Sequence, residues 1–218
     1  MQAPRLGDVR RQARAAEDLD EGDPATLAVD AYRDNERFSG LDLTGRNLGG
    51  LTLSECALVD VTVTDADLRA ARVTDTALTR LNAPVLRAPH SVWRDVGIEH
   101  SRIGSGELYD AELTTLLIGQ SKIGFLNLRG SVLRDVAFED CTIDELDLSE
   151  ASATRLAFSG CAIAMLDVSR ARLEHVDLRG ARVDGIRGID SLSGVTVDAA
   201  QLTDLAPLLA AHLGIRVG

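Results

Sequence analysis

The chain has 218 residues, 45% of them hydrophobic but only 3% aromatic, with 34 acidic against 23 basic residues and a formal net charge of −11. This length allows one or two domains and this aliphatic content excludes a disordered chain, but a core of ordinary shape would use more aromatic side chains, so the aliphatics must fill a narrow, regular interior. The acidic balance argues against direct binding of nucleic acid or of an anionic membrane, and leaves cationic partners, including sites that normally receive DNA.

Residues 1–35 read as an N-terminal extension or cap. The opening MQAPRLGDVRRQARAAEDLDEGD has basic residues but no apolar stretch of a secretory signal, and no run of about 18 apolar residues follows anywhere. The expectation is a cytoplasmic protein without a membrane segment. A short helix is predicted from Asp8 to Leu19, followed by an extended TLAVDAY stretch.

From Glu36 the chain divides into blocks of five: LDLTG, RNLGG, LTLSE, CALVD, VTVTD, ADLRA and onward to ARVDG at Gly185. The third residue of every block is apolar, from Phe38, Leu43 and Leu48 through Ala83, Ala88 and Trp93 to Phe158, Leu178 and Val183. At this composition such a run has a chance probability on the order of 10⁻¹⁰, so the period is real. Five fits neither a helix nor a plain strand, and the chain must turn a corner in every block. The first residue of each block supplies a second inward position, alternating large and small from Leu116 through Ser121, Leu126, Ser131, Val136 and Cys141 to Ile186. Four blocks per coil make each stacked column uniform, for example Leu126, Leu146 and Leu166, and uniform columns pack without voids.

This pattern resembles the pentapeptide repeat family, whose motif is A(D/N)LXX; ADLRA, LDLTG, LDLSE and VDLRG lie close to it. The resemblance implies an all-β solenoid, a right-handed quadrilateral β-helix of about 7.5 coils over 36–187, spaced ~4.8 Å apart. It also implies how such a chain acts. Some members are dimeric rods that imitate duplex DNA, occupy the DNA saddle of type II topoisomerases, notably DNA gyrase, and relieve quinolones or natural gyrase poisons.

One irregularity interrupts the alternation. The large inward residues change phase in LNAPVLRAPHSVWRD, where Pro84 and Pro89 remove two ladder donors and Trp93 follows two alanines. A kink, bulge or widened coil is expected between Leu81 and Asp95. After Gly185 the period fails, and 188–218 read as a C-terminal cap. Residues 197–213 predict one or two short helices with Asp198 or Asp204 as N-cap and Gly214 as the stop. Leu202, Leu205, Leu208, Leu209 and Leu213 recur there at helical spacing, more apolar surface than one coil needs, and predict a homodimer interface.

Chemistry-bearing constellations are sparse. GxxxxGK[ST] and GxGxxG are absent. His90 and His100 fall on opposite corners, so no metal site and no cofactor is expected. Cys56, Cys141 and Cys161 lack a CxxC pair and read as buried, reduced thiols, the last two stacked as neighbours. A filled rod offers no catalytic concavity, and a non-enzymatic role is expected; a pocket at the irregularity holding His90, Trp93 and Asp95 would be the exception.

Carboxylates are the remaining signal. Stacking by twenty aligns Glu55, Asp75 and Asp95 along one corner, continuing past Thr115 to Asp135 and ending at Arg155 and His175. A second concentration, Asp135, Glu139, Asp140, Asp144, Glu145, Asp147 and Glu150, forms an acidic belt around one coil. Duplex DNA carries one charge per ~1.7 Å of axis. Residues 36–187 hold 23 acids against 17 basic residues, so mimicry depends on where the carboxylates lie. The alternative is a scaffold for another protein partner, using the nearly uncharged face through Ala57, Ala77, Gly97, Leu117, Ala137 and Ala157, or the apolar corner at Phe125 and Met165. A continuous negative stripe favours the DNA mimic; arginines interrupting every row favour the scaffold.

Overall fold

The computed structural model describes residues 1–7, Val9 and 18–216. Most of the helix expected from Asp8 to Leu19 lies outside the described residues. From Asp20 to Thr196 the chain winds as a parallel β-solenoid of about nine turns, closed by one helix, α1, at Ala199–His212. Among the described residues the strands form two parallel sheets, of 12 and 8 strands. Residue i pairs with i+20, as in Leu113↔Leu133 and Ile123↔Ile143, so four blocks make one coil.

Each block is built the same way. Its first and third residues point inward; Phe38, Leu48, Ile123, Leu133, Phe138 and Phe158 are among the most completely buried side chains. Phe138 and Phe158 stack with ring centroids 5.0 Å apart, and the whole inner column forms one continuous core. The fifth residue turns the corner in the left-handed region. Every non-glycine residue with positive φ among those described sits at a fifth position, including Asp60 (φ 56), Asp75 (φ 47), Thr115 (φ 56) and Arg155 (φ 57). Asp is the most frequent residue there because it tolerates this conformation better than most other side chains.

Small inward positions carry hydroxyls for a reason. The backbone N–H that follows a corner needs an acceptor, and a serine one coil onward supplies it: Leu81 N–H donates to Ser101 Oγ, Ser101 N–H to Ser121 Oγ and Ala111 N–H to Ser131 Oγ, each at 3.0 Å. The serine hydroxyls then donate to carbonyls of Glu99, Gly119 and Leu108. Buried polar groups are thereby satisfied within the core.

The coil count exceeds the expected 7.5 because the winding extends past both ends of the apolar pattern. Asp30 and Asn35 already take the left-handed corner, but Arg33 occupies the third position between them and hides the repeat. Leu27 inserts into the open N-terminal end of the core, and Arg46 holds the carbonyls of Pro24 and Leu27 over it. At the other end Val195–Thr196 still pairs with Val176–Asp177. The period stops at Gly188, which turns left-handed (φ 77) two residues ahead of the next corner; a Cβ there would lie 2.4 Å from the Ser169 backbone.

A register irregularity lies where Thr62–Ala66 pairs with Asn82–Leu86, and Trp93 beyond it pairs in continuous register with Val73 and Leu113. One corner changes conformation at this point: Asp65 is left-handed, but Val85, Ser105, Phe125, Glu145 and Met165 beneath it are not. Val85 is β-branched, a feature that resists positive φ. Next along this corner, a Cβ on Gly104 would sit 2.4 Å from the Pro84 carbonyl oxygen. Trp93 fills the space beside Ala83, Ala88 and Ser91, donating its indole N–H to Ser91 Oγ at 2.7 Å. Pro89 lies at an ordinary corner, its carbonyl accepting from Ala70 N–H at 2.9 Å.

Candidate functional site

With the interior filled, the surface carries the chemistry. Two voids inside the rod measure about 30 and 10 Å³, the size of a water or less. The acidic belt occupies four successive corners and the strands between them, so it faces every side of the rod. Most of its members already have cationic partners. Asp135 forms a two-pronged ion pair with Arg155; Glu145 pairs with Arg187 at 2.8 Å, Asp147 with Arg129 at 3.2 Å, and Glu150 with Arg170 at 2.5 Å. Asp135 and Asp147 are buried. Asp147 also accepts from the backbone N–H and hydroxyl of Ser149. The Arg155 guanidinium holds the Asp135 carboxyl below the usual carboxylate range, and Arg170 does the same for Glu150. Asp140 and Asp144 are exposed and Glu139 is half-buried.

The acidic corner behaves differently. Glu55, Asp75 and Asp95 all adopt left-handed backbone on stacked coils. Burial pushes the Asp75 carboxyl up, and the charges of Asp95 and Glu55 push it further, with Arg94 opposing them. Like charge is therefore concentrated here. Along the same corner Asp135 and Arg155 neutralise each other.

The uncharged face is not bare. Val9 packs on Leu117 and Ala137 with Leu6 beside it, and Leu19 packs on Ala57 and Val59. The backbone N–H of Arg5 donates to Asp135 Oδ1 at 2.8 Å. The chain's own N-terminus thus covers part of the face that the uncharged sequence positions offer to a partner. Sequence reading missed this role, although the aliphatic pair Leu6 and Val9 was a signal. Phe125 and Met165 lie half-buried at the corner that lacks positive φ.

At the C-terminal end, α1 begins with a capping box between Asp198 and Gln201 and contains Pro207. Leu205 packs against the core, Leu208 and Leu209 are half-buried, and Leu202 (53%) and Leu213 (71%) are exposed, with Ile215 beyond them (57%). Gln201 Nε2 donates to the carbonyls of Leu178 and Ala181, closing the open ladder. A cavity of about 310 Å³ remains between the helix and the last coil, lined by Leu178, Val183, Asp184, Asp204 and Leu205.

The three cysteines are free and buried. The neighbouring Cys141 thiol, together with burial, pushes the Cys161 thiol up. His90 stacks edge-on against Tyr109, with Asp110 4.0 Å away. Among the described residues no three His, Cys, Asp or Glu side chains converge as metal ligands, and no helix is long and apolar enough to cross a membrane.

A scan against protein-family models found no match, and neither did a search of curated proteins. Among solved structures the chain is similar to a trypsin-treated form of QnrB1, a plasmid-mediated fluoroquinolone resistance protein, at 18% identity, covering 91% of this chain and 95% of that one with a TM-score of 0.34. HetL, a pentapeptide repeat protein involved in heterocyst differentiation regulation from the cyanobacterium Nostoc, matches at 17% identity, covering 88% and 96% with a TM-score of 0.40. Full-length QnrB1 matches at 16%, covering 82% and 100% with a TM-score of 0.30. The five-residue block, its left-handed corner and the four-sided parallel coil make this chain a β-solenoid consistent with the pentapeptide repeat family.

Proposed function

We propose that this chain is a non-catalytic, protein-binding rod that presents its column of carboxylates at Glu55, Asp75 and Asp95 to a basic surface, and that this surface is the DNA site of a type II topoisomerase such as DNA gyrase. The observation that carries the reading is the stacking of three carboxylates at left-handed corners of successive coils, where burial first, and then the charges of Asp95 and Glu55, raise the Asp75 carboxyl. Carboxylates stacked every ~4.8 Å approach the ~3.4 Å spacing of phosphates along one DNA strand. The acidic belt is the weaker element, since four of its seven carboxylates are paired with arginine. A homodimer joined through Leu202 and Leu213 of the C-terminal cap would carry two such columns on one longer rod.

The test is a supercoiling assay with gyrase, with and without a fluoroquinolone. Inhibition or protection at micromolar protein is expected, and it should be lost in the triple variant Glu55→Gln, Asp75→Asn, Asp95→Asn. Neither effect at that concentration overturns the topoisomerase reading. Sedimentation should give a dimer that Leu202→Asp with Leu213→Asp converts to a monomer.

A different protein partner is the second reading, favoured by the arginines that interrupt the belt. It predicts an intact rod without any effect on gyrase.

A further inference from the structure

The two sheets end differently at the C-terminal end of the rod. The 12-stranded sheet is continued by Val195–Thr196, which pairs with Val176–Asp177, whereas the 8-stranded sheet stops at Arg182–Val183. Carbonyl directions at that edge follow from the coil before it. Cys161 and Ile163 accept from the N–H groups of Arg182 and Asp184, at 2.8 and 2.9 Å. Ala181 and Val183 stand one coil beyond Cys161 and Ile163, so their carbonyls point past the end of the sheet.

Helix α1 lies over this edge but cannot continue it, because a helix spends its backbone N–H groups on its own carbonyls. Gln201 Nε2 serves the Ala181 carbonyl, and among the described residues no donor meets that of Val183. The gap left between helix and edge is the cavity of about 310 Å³, at the small end of the range for ligand sites. Its lining is apolar at Leu178, Val183, Val197 and Leu205, and charged at Arg182, Asp184 and Asp204. Arg182 is engaged with Asp184, Nε to Oδ1 at 3.2 Å, which leaves the Asp204 carboxylate in excess. That carboxylate and the Val183 carbonyl are both acceptors. An anion would be repelled by them, and a neutral apolar molecule would cover them without supplying a donor.

We propose that this cavity binds a small organic cation, a protonated amine or guanidinium carried on an apolar body of one ring or a short alkyl chain. Its N–H groups donate to the Asp204 carboxylate and the Val183 carbonyl, while the body lies on Leu178, Val197 and Leu205. The ligand thereby supplies the donor that a further coil would have supplied, and ties α1 to the end of the solenoid. One chain provides the whole site, which is separate from the carboxylate column and independent of gyrase as a partner.

The test titrates the full chain with phenethylammonium, with the neutral 2-phenylethanol and the anionic 3-phenylpropionate beside it, and follows the amide NMR signals of Val183, Asp184 and Leu205. The amine should saturate these shifts with a dissociation constant of about 1 mM or tighter, the alcohol should bind about fivefold more weakly, and the anion should leave the signals unmoved. Asp204→Asn should weaken the amine about fivefold and leave the alcohol unchanged. Equal binding of amine and alcohol, an amine affinity unmoved by Asp204→Asn, or no saturation below about 10 mM amine overturns the proposal. The three probes are compared on the unaltered protein, so the requirement for positive charge is tested whether or not the variant folds. Should no probe bind while Asp204→Asn changes the sedimentation of the protein, the cavity belongs to a basic side chain of a second copy and the proposal falls. The gyrase assay has no bearing on any of these outcomes.

Discussion

Asp135 and Arg155 are separated by one coil and joined by two parallel hydrogen bonds, Nε to Oδ1 at 2.6 Å and Nη2 to Oδ2 at 2.7 Å. Their side chains are only 12% and 18% exposed, and the Arg5 N–H supplies a third donor. The pair converts a carboxylate of the acidic belt from a recognition element into a fastening between coils.

Asp135→Ala should therefore lower stability by about 2–3 kcal/mol, because Arg155 is left half-buried without its counter-charge. Asp135→Ala with Arg155→Ala should lose less than the two single changes added together. The folded carboxyl titrates below its unfolded value, so its contribution is present above the ordinary carboxylate range and is lost as pH falls through the depressed value. Denaturant titrations at several pH values should show the gap between Asp135→Asn and the unaltered protein closing below about pH 3.

Asp75 carries the opposite sign. Its carboxyl is raised, so its contribution is most favourable at low pH and is lost as pH rises through the raised value. Asp75→Asn should raise the melting temperature at pH 7 and lose that advantage by about pH 3. The side chain is exposed, and screening by water keeps the gain at about 0.5 kcal/mol or less. A melting series in low and high salt checks both points, with the gain shrinking as salt is added.

Gln201 serves two edges at once: its Oε1 accepts from Asp198 N–H at 2.8 Å and its Nε2 donates to Leu178 and Ala181. Gln201→Ala should cost about 1–2 kcal/mol and speed hydrogen exchange in the first turn of α1. Gln201→Glu keeps the acceptor but turns a carboxylate toward two carbonyls, and should be at least as damaging.

Thr115 is β-branched yet holds φ 56, a conformation that costs such a residue about 1–2 kcal/mol. Thr115→Asn should stabilise the protein by up to about 1 kcal/mol. Ser105, at the corner without positive φ, provides the control: Ser105→Gly should destabilise by about 0.5–1 kcal/mol. Thermal melts of the two variants distinguish the two kinds of corner.

Much of the fold was legible because the inward rule is local. Apolar residues at the third position of every block, with Asp and Gly frequent at the fifth, spell out strand, corner and coil length without reference to distant residues. Of the two N-caps the sequence offered for the C-terminal helix, Asp198 and Asp204, the structure uses Asp198. Extra coils at the ends escaped the count because Arg33 and the 19-residue return from Val176 to Val195 break the apolar rhythm while keeping the hydrogen bonds.

The surface was harder to read. Spacing stacks Asp135 on Arg155, but Glu145 meets Arg187, two coils and two residues on, through side-chain rotamers that no repeat encodes. Nor does any periodicity link Val9 to Leu117, more than a hundred residues away.

From the sequence alone follow the period of five, the four-block coil and the narrow aliphatic interior, since each depends on which way a residue faces within its own block. Tertiary structure decided which arginine each paired acid meets and which face the N-terminal residues cover, because both depend on atoms brought together only by stacking. The excess of aliphatics thus describes the inside of the rod, while the meaning of its net negative charge is set by neighbours one coil or many coils away.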